Sequence, residues 1–576
     1  MDQRDCPGVA GGGLRSAPVI TRPSRNHRGS AGLLAACGRQ PRCSSPDVKG
    51  FAHKNVGRGV ALATIAIVLL AVGTSHLVGQ GSGPGSSPAD LLIRNVRIVH
   101  GDGRVTPRAN ALVRGGVIDL IQPLQSPVPA GADAPARHIL DGTGRTLIPG
   151  LIDAHVHVQT WGLPLYLRYG VTTVRDLHND AAYIFPLAAD DTLDQPRIVS
   201  SGPIFDGPGG DPKTTVIVST VGEARAAVRR QIDAGARVIE VSPRVGPWLM
   251  SVLASEARAR GVPVAAHLGA TTATQAADLL VTSIEHLSGI AESASPESGR
   301  LVQAHADFFG GWTAAQLAWR QLSIQRLEDV ARDLVARGVT IVPTLVAHEA
   351  VFRLADAAIT QDPALAVVPP GLIAGAWKPS DVMARAKWTP QILAQFKQSF
   401  PVLQQFAGIY ARLGGRIAAG SDVGQAFVIP GFALHRELEL LVDSGLSPAQ
   451  AIRAATVDAA ALLGLKDRVG VIDGGMAADL VLLDGDPLAD IRNTRRIVAV
   501  IKNGIVVEPW DLLSRGARGL HTPAFASGLK TRPPLLTFRT RGSPHCGALG
   551  PPFTWNPGSS DPGIHRRPAA CGRSAA

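Results

Sequence analysis

Cysteine and aromatic residues are scarce in this 576-residue chain, which has five cysteines and only 5% Phe, Trp and Tyr. Cys6, Cys37 and Cys43 lie near its start and Cys546 and Cys571 near its end. The long middle is therefore cysteine-free, and neither a disulfide framework nor a thiolate metal site can be built there. The apolar stretch VALATIAIVLLAV, residues 60–72, is shorter than the roughly 18 or more residues of a membrane-spanning helix. It follows Lys54 and Arg58 and leads into the linker GQGSGPGSSP, the layout of a secretory signal or an N-terminal anchor.

Negative charge is lacking at both ends. Ten Lys/Arg face three Asp/Glu in residues 1–58 and nine face one in residues 515–576, so the net charge of +11 belongs to the ends and the middle is slightly acidic. Neither end shows helical or strand periodicity or alternates basic with aromatic residues, so nucleic acid is not an expected partner. The expectation is an exported protein, periplasmic or extracellular, with membrane anchoring through residues 60–77 and self-association both left open.

What is present is a regular alternation. Short strand patterns bounded by Gly or Asp turns begin at Ala89 (LLIRNVRIV, ALVRGGVIDLI, HILDGTGRTLIPG) and return near the end (GVIDGGMAADLVLLDG, RIVAVIKNG, IVVE). Both flanks are expected to pair into one small β-sandwich domain. Between them LIDAHVHV, VTTVRDL, RIVSSG, RVIEVS, PVAAHLG, TSIEHLS, VTIVPTL and RIAAGSD alternate with helical stretches such as EARAAVRRQIDAG and IQRLEDVARDLVARG. Eight strands with intervening helices argue an α/β fold, a (β/α)₈ TIM-like barrel. The resulting division is a basic disordered leader (1–57), a signal or anchor segment and linker (58–88), the β-domain (89–148 plus 466–510), the barrel (149–465) and a disordered basic tail (511–576).

In such barrels the working residues project from the C-terminal strand ends. His155 and His157 lie two apart in a strand, so period-2 geometry turns both to one face, where they converge on one metal. His267, His286 and Asp422 close three further strand patterns. A strand histidine alone is more often a hydrogen-bonded core residue, but burying five such groups without a metal would cost several kcal/mol. Imidazole and carboxylate donors suit zinc or a similar divalent ion, one or two of them.

LIPGLIDAHVHV resembles the opening signature of the amidohydrolase superfamily and GMAADLVLLDGDPL its closing β-domain signature, a likeness covering about residues 89–508. GVTTVRDL, VPTL and the GSD strand most resemble the branch of imidazolonepropionases and Xaa-Pro dipeptidases. The resemblance implies that His155 and His157 hold one metal and His267 and His286 a second. It also implies that Asp422 ligates and accepts a proton, and that a metal-bound hydroxide cleaves an amide, dipeptide or cyclic amide of a small-molecule substrate.

Two positions depart from that pattern. GARVIEV places Glu240 where the branch carries a carboxylated lysine in a segment like GADxIKV, and the shorter side chain reaches roughly 3–4 Å less far. Glu240 is either a direct metal ligand, a partner beside a mononuclear site or a member of a structural salt bridge. GPGGDP carries Asp211 where relatives often have histidine, so Asp211 is either a substrate contact or a turn residue. His348, beyond the VPTL strand, is either a substrate contact or an exposed loop histidine, and Arg175 and Asp176 are equally open. Deaminases of the superfamily usually carry a glutamate three residues after the fifth-strand histidine; here His267 is followed by Leu268, Gly269 and Ala270, which disfavours deamination. The alternatives are an esterase, lactonase or carbamate hydrolase using the same metal, or a non-catalytic binding protein of this fold.

Overall fold

The computed structural model describes residues 89–124 and 136–507. The leader, the signal or anchor segment with its linker, the 511–576 tail and all five cysteines lie outside those residues. Among the described residues no helix is long and apolar enough to cross a membrane.

The first strand patterns form β1 (Ala89–Val99), β2 (Val105–Arg114), β3 (Val117–Pro123), β4 (Ala136–Asp141) and β5 (Thr146–Pro149). In β1 the buried residues are Leu91 and Ile93, then Val96 and Ile98. The phase changes at Asn95, whose φ of 55° accompanies a shift in the pairing with β2. Such a bulge lets one strand keep its apolar face inward on both sides of an irregularity.

The central segment is α/β. β6 (Leu151–Val156), β7 (Val171–Asp176) and β8 (Arg197–Ser200) form a parallel three-stranded sheet. A seven-stranded sheet follows, built from β9 (Ile204–Asp206), β10 (Thr215–Ile217), β11 (Ile239–Val241), β12 (Val264–Ala266), β13 (Ser283–Glu285), β14 (Thr340–Val342) and β15 (Arg416–Ile417). All eight strand patterns read from the sequence are found, mostly shortened, while β9 and β10 are additions that sequence periodicity missed. The sheets touch at both ends. Arg237 N–H donates to Ser200 O at 2.9 Å, and Ala154 N–H donates to Ala419 O at 2.8 Å.

The expected helices are present as well. Ile324–Ala336 buries Leu327, Val330, Ala331 and Leu334, the i, i+3, i+4, i+7 stripe of a helix lying on a sheet. Val221–Ala234 starts at a capping box in which Thr220 and Glu223 satisfy each other's backbone N–H. Val174, Ile239, Ile284 and Ile341 belong to one continuous core beneath these helices.

β16 (Leu480–Leu483), β17 (Ile497–Lys502) and β18 (Ile505–Val507) are the last strands among the described residues, and β16 pairs antiparallel with β5. The two flanks thereby merge into one eight-stranded sheet, ordered β18-β17-β16-β5-β1-β2-β3 with β4 on β1. Leu91, Ile93, Leu480 and Ile501 share its core. The pairing among the described residues defines this single shared sheet.

A buried ionic knot fastens that sheet to the central segment. Arg197, opening β8, donates to Asp479 at 2.6 Å, and Lys502, ending β17, donates to Asp191 at 2.6 Å and lies 3.9 Å from Asp479. Asp479 and Lys502 are almost fully buried, so removing one partner strands a desolvated charge. Asp479→Ala is expected to lower unfolding free energy by about 3–5 kcal/mol, read from denaturant titration.

Candidate functional site

The site grows from the alternation of β6. Asp153, His155 and His157 occupy every second position and so face the same way. His155 is fully buried, and its Nδ1 contacts Glu285 Oε2 at 2.8 Å. His157 is partly exposed; its Nδ1 bonds the Leu177 carbonyl and its Nε2 lies 3.1 Å from Asp422 Oδ1.

The other contributors reach the same place through unusual backbone geometry. His286 immediately follows β13, where alternation would turn it away from Glu285, yet its φ of 58° swings it back. Asp422 (φ 60°) and Thr344 (φ 48°) are left-handed too, and Thr344 Oγ1 meets His286 Nδ1 at 2.8 Å. Such conformations in non-glycine residues cost of order 1–3 kcal/mol each and persist where the surroundings over-determine them. Asp422 is further held by donation of its N–H to His155 O at 2.8 Å. The glycines of the GSDVG segment make room: a Cβ on Gly420 would lie 2.6 Å from Val342, and one on Gly424 (φ +125°) 2.8 Å from His157.

His155, His286 and Asp422 thus offer ligand-type atoms all within 4.8 Å of one another, a set that can hold a cation. His157 joins through its contact with Asp422. His267 joins through His286, the two ring centroids being 4.8 Å apart. Glu240 is buried close by, and its Oε2 and His155 Nε2 are among the buried polar atoms that have no hydrogen-bond partner.

Behind the histidines lies a layer that sequence reasoning largely missed. Arg175 forks onto both oxygens of Glu285 at 2.8 Å and donates to Ser283 Oγ at 3.0 Å. This resolves Arg175 as the partner of Glu285, which in turn fixes the His155 ring. The signal for Glu285 was its place in TSIEHLS, two residues beyond Ser283 on the same strand face. Asp153 accepts from the Ser421 N–H at 2.9 Å and from the Ser421 hydroxyl at 2.5 Å, tying β6 to the residue before Asp422. Asp176 accepts from Val158 N–H, Asn179 and Ser200, and so works as a strand-end fastener.

Two expectations change. Asp211 is an exposed turn residue: its carboxylate accepts from Lys213 N–H at 3.0 Å and its carbonyl from Thr215 N–H at 2.9 Å, contacts that commit it to its own loop. His348 is not an exposed loop histidine. It sits buried on the helix Leu345–Phe352, with Nε2 3.2 Å from His286 O and its ring stacked on Trp312 at 5.9 Å.

Burial and proximity sort the charges. Burial pushes His267 down to about 3 and His348 to about 4, so both are neutral imidazoles at neutral pH. Burial pushes Glu240 up to about 8. Burial also opposes ionisation of Asp422, but the hydrogen bond from His157 and the fields of His155 and His157 outweigh it and hold the carboxylate below its usual range. For His157 burial opposes the charge, while the hydrogen bond to Asp422 and the fields of Asp422, Glu240 and Asp176 raise it to about 9.

Residues 146–507 match the Amidohydrolase family, and the chain belongs to it. It is similar to the adenine deaminase of Oleidesulfovibrio alaskensis, 34% identical over 80 residues that make up 14% of this chain and 12% of that protein. It is also similar to the imidazolonepropionase of Rubrobacter xylanophilus, 41% identical over 68 residues, 11% of this chain and 16% of that one. The chain thus matches only a small part of the length of these curated relatives. Among solved structures, a putative prolidase from Bifidobacterium longum aligns with a TM-score of 0.54 at 25% identity, covering 75% of this chain and 100% of that one.

The charge of His157 makes a pH prediction for the metal-free protein. Its folded pKa, about 9, lies above the ordinary histidine value of 6.5, so its contribution to stability is complete below 6.5 and is lost as pH rises towards 9. The expected slope is up to about 1.4 kcal/mol per pH unit, absent in His157→Asn, as read by urea unfolding between pH 6 and 9.5.

Proposed function

We propose that this chain is a metal-dependent hydrolase that cleaves a C–N bond, in an amide, dipeptide or cyclic amide, of a small-molecule substrate. The observation that carries the reading is the convergence of His155, His157, His286 and Asp422, with His267 and Glu240 beside them and His155 Nε2 and Glu240 Oε2 buried without a hydrogen bond. A divalent ion requires neutral imidazoles and ionised carboxylates; His267 and Asp422 are in those states at neutral pH, whereas His157 and Glu240 would each give up a proton as the ion binds.

The strands that carry these residues are read as one (β/α)₈ barrel, supported by the backbone bonds that join the three- and seven-stranded sheets at both edges. Residues 149–465 would form it and the flanks the β-domain. The nitrogen and oxygen donor set suits zinc. Residues 60–72 motivate export of the protein.

His155, His157, His267, His286 and Asp422 would hold the metal, and Glu240 is assigned as a further ligand because its unpartnered Oε2 is buried beside them. A bound divalent ion supplies a Lewis acid for the scissile carbonyl and lowers the pKa of water. Asp422 then accepts the proton of the attacking water, and its contact with His157 keeps it ionised for that task. Glu285 and Arg175 lock the orientation of His155, and Thr344 that of His286. Ala270 stands three residues after His267, so the deaminase glutamate is missing and hydrolysis is preferred to deamination.

The test is the metal content of the purified protein and of Glu240→Ala, with hydrolysis of a dipeptide panel before and after chelation. Two ions in the parent protein, falling to one or none in the variant, are expected, together with activity lost on chelation and restored by zinc. One ion in both proteins would remove Glu240 from the ligand set, and none in either would overturn the hydrolase reading.

A further inference from the structure

Next to the histidine cluster stands a short wall of aromatic rings that none of the proposed chemistry uses. The helix Phe308–Ala318 opens with two phenylalanines, each 36% exposed. The Phe308 ring lies edge-on to His267, with centroids 5.6 Å apart, and Phe309 lies 5.3 Å from Phe308. The wall continues through Trp388, 5.9 Å from Phe309, to Trp312, which stacks on His348. It thus runs from His267 to the histidine resting on the His286 carbonyl.

Isolated exposed apolar side chains are ordinary and call for no explanation. These two are adjacent, lie beside the cluster and occur in a chain with only 5% aromatic residues. Their position is also built. The buried His305 is fixed by Glu292 at 2.7 Å, and its ring fills the space that a Cβ would occupy on Gly269, behind His267, and on Gly311, within the aromatic helix. A Cβ at either glycine would come within 2.4 Å of His305 Nδ1. His305 therefore acts as a spacer that sets the start of the helix against the loop carrying His267. Asp307 caps that helix by accepting from Gly310 N–H at 3.0 Å, which holds the two phenylalanines in its first turn.

We propose that Phe308, backed by Phe309 and Trp312, is the specificity subsite for an aromatic ring of the substrate, seated beside the scissile bond against His267. The inference rests on the hydrolase reading above and names its substrate class: amides or dipeptides with an aromatic side chain next to the cleaved bond. Ring edges and faces at 5–6 Å spacing receive another ring in the same edge-to-face manner in which they contact one another. A polar or small side chain at that position gains nothing from the wall.

The experiment compares kcat/KM for Gly-Phe and Phe-Gly with Gly-Ser and Ser-Gly in the zinc-loaded parent protein and in Phe308→Ser. Because Phe308 is partly exposed, the substitution is expected to shift the melting temperature little, which a thermal melt checks. The parent protein should prefer one aromatic dipeptide over its serine counterpart by about 10-fold or more, and Phe308→Ser should remove most of that ratio. No preference in the parent protein, or a preference untouched by the substitution, would overturn the subsite. Saturation-transfer NMR with benzyl alcohol separates the two readings if no dipeptide is cleaved. A signal lost in Phe308→Ser would support the subsite while the hydrolase reading fails, and no signal in the parent protein would overturn the subsite as well.

Discussion

One carboxylate holds the working end of this protein together. Asp422 presents one oxygen to His155 and His157 and the other towards His286, so three strand ends meet at a single side chain. Everything around it is arranged to keep it there. Its own backbone is left-handed, its N–H is bonded to the strand carrying His155, and the glycines at 420 and 424 leave the space that the neighbouring histidines fill. A buried negative charge of this kind persists only when opposite charge or hydrogen-bond donors surround it.

The same principle organises the layer behind. Arg175 neutralises Glu285, Glu285 orients His155, and Asp153 ties β6 to Ser421, so these buried charges and the strand behind the cluster are held by named partners. Among the buried side-chain atoms without a hydrogen-bond partner, His155 Nε2 and Glu240 Oε2 lie where the cluster converges. Unsatisfied polar atoms are rare in folded proteins and costly, so they mark the place where a ligand would complete the set. On the opposite flank the Arg197–Asp479 pair anchors the shared sheet to β8, so the sheet braces the base of the strands whose other ends carry the histidines.

Much of this was legible in the residues. Alternation in LIDAHVHV placed His155 and His157 on one face, and both reach the same Asp422 oxygen, His155 from β6 and His157 from just past its end. The strand and helix patterns between 149 and 465 recur as elements because each carries its own periodicity and caps, as Thr220 with Glu223 and the stripe Leu327–Leu334 illustrate. Other features escaped. β9 and β10 flank the Gly- and Pro-rich GPGGDP segment, whose turn signals mask the short apolar runs on either side of it. His348 read as a loop residue because the helix Leu345–Phe352 is apolar on almost every side and lacks a polar stripe to announce it. Asp211 was open between a substrate contact and a turn residue, and one carboxylate oxygen and its carbonyl serve its own turn.

The sequence by itself determined the α/β alternation, the pairing of the two flanks and the donor types at the strand ends, because each of these is written in local spacing and residue chemistry. Only the tertiary structure decided which groups meet. Glu285 finds Arg175 from 110 positions away, and His305 spaces Gly269 from Gly311. The reversal at His286 depends on a left-handed residue that no local pattern requires. These are consequences of how the strands and helices assemble, and the assembly brings together residues whose separation along the chain carries no information about their contact.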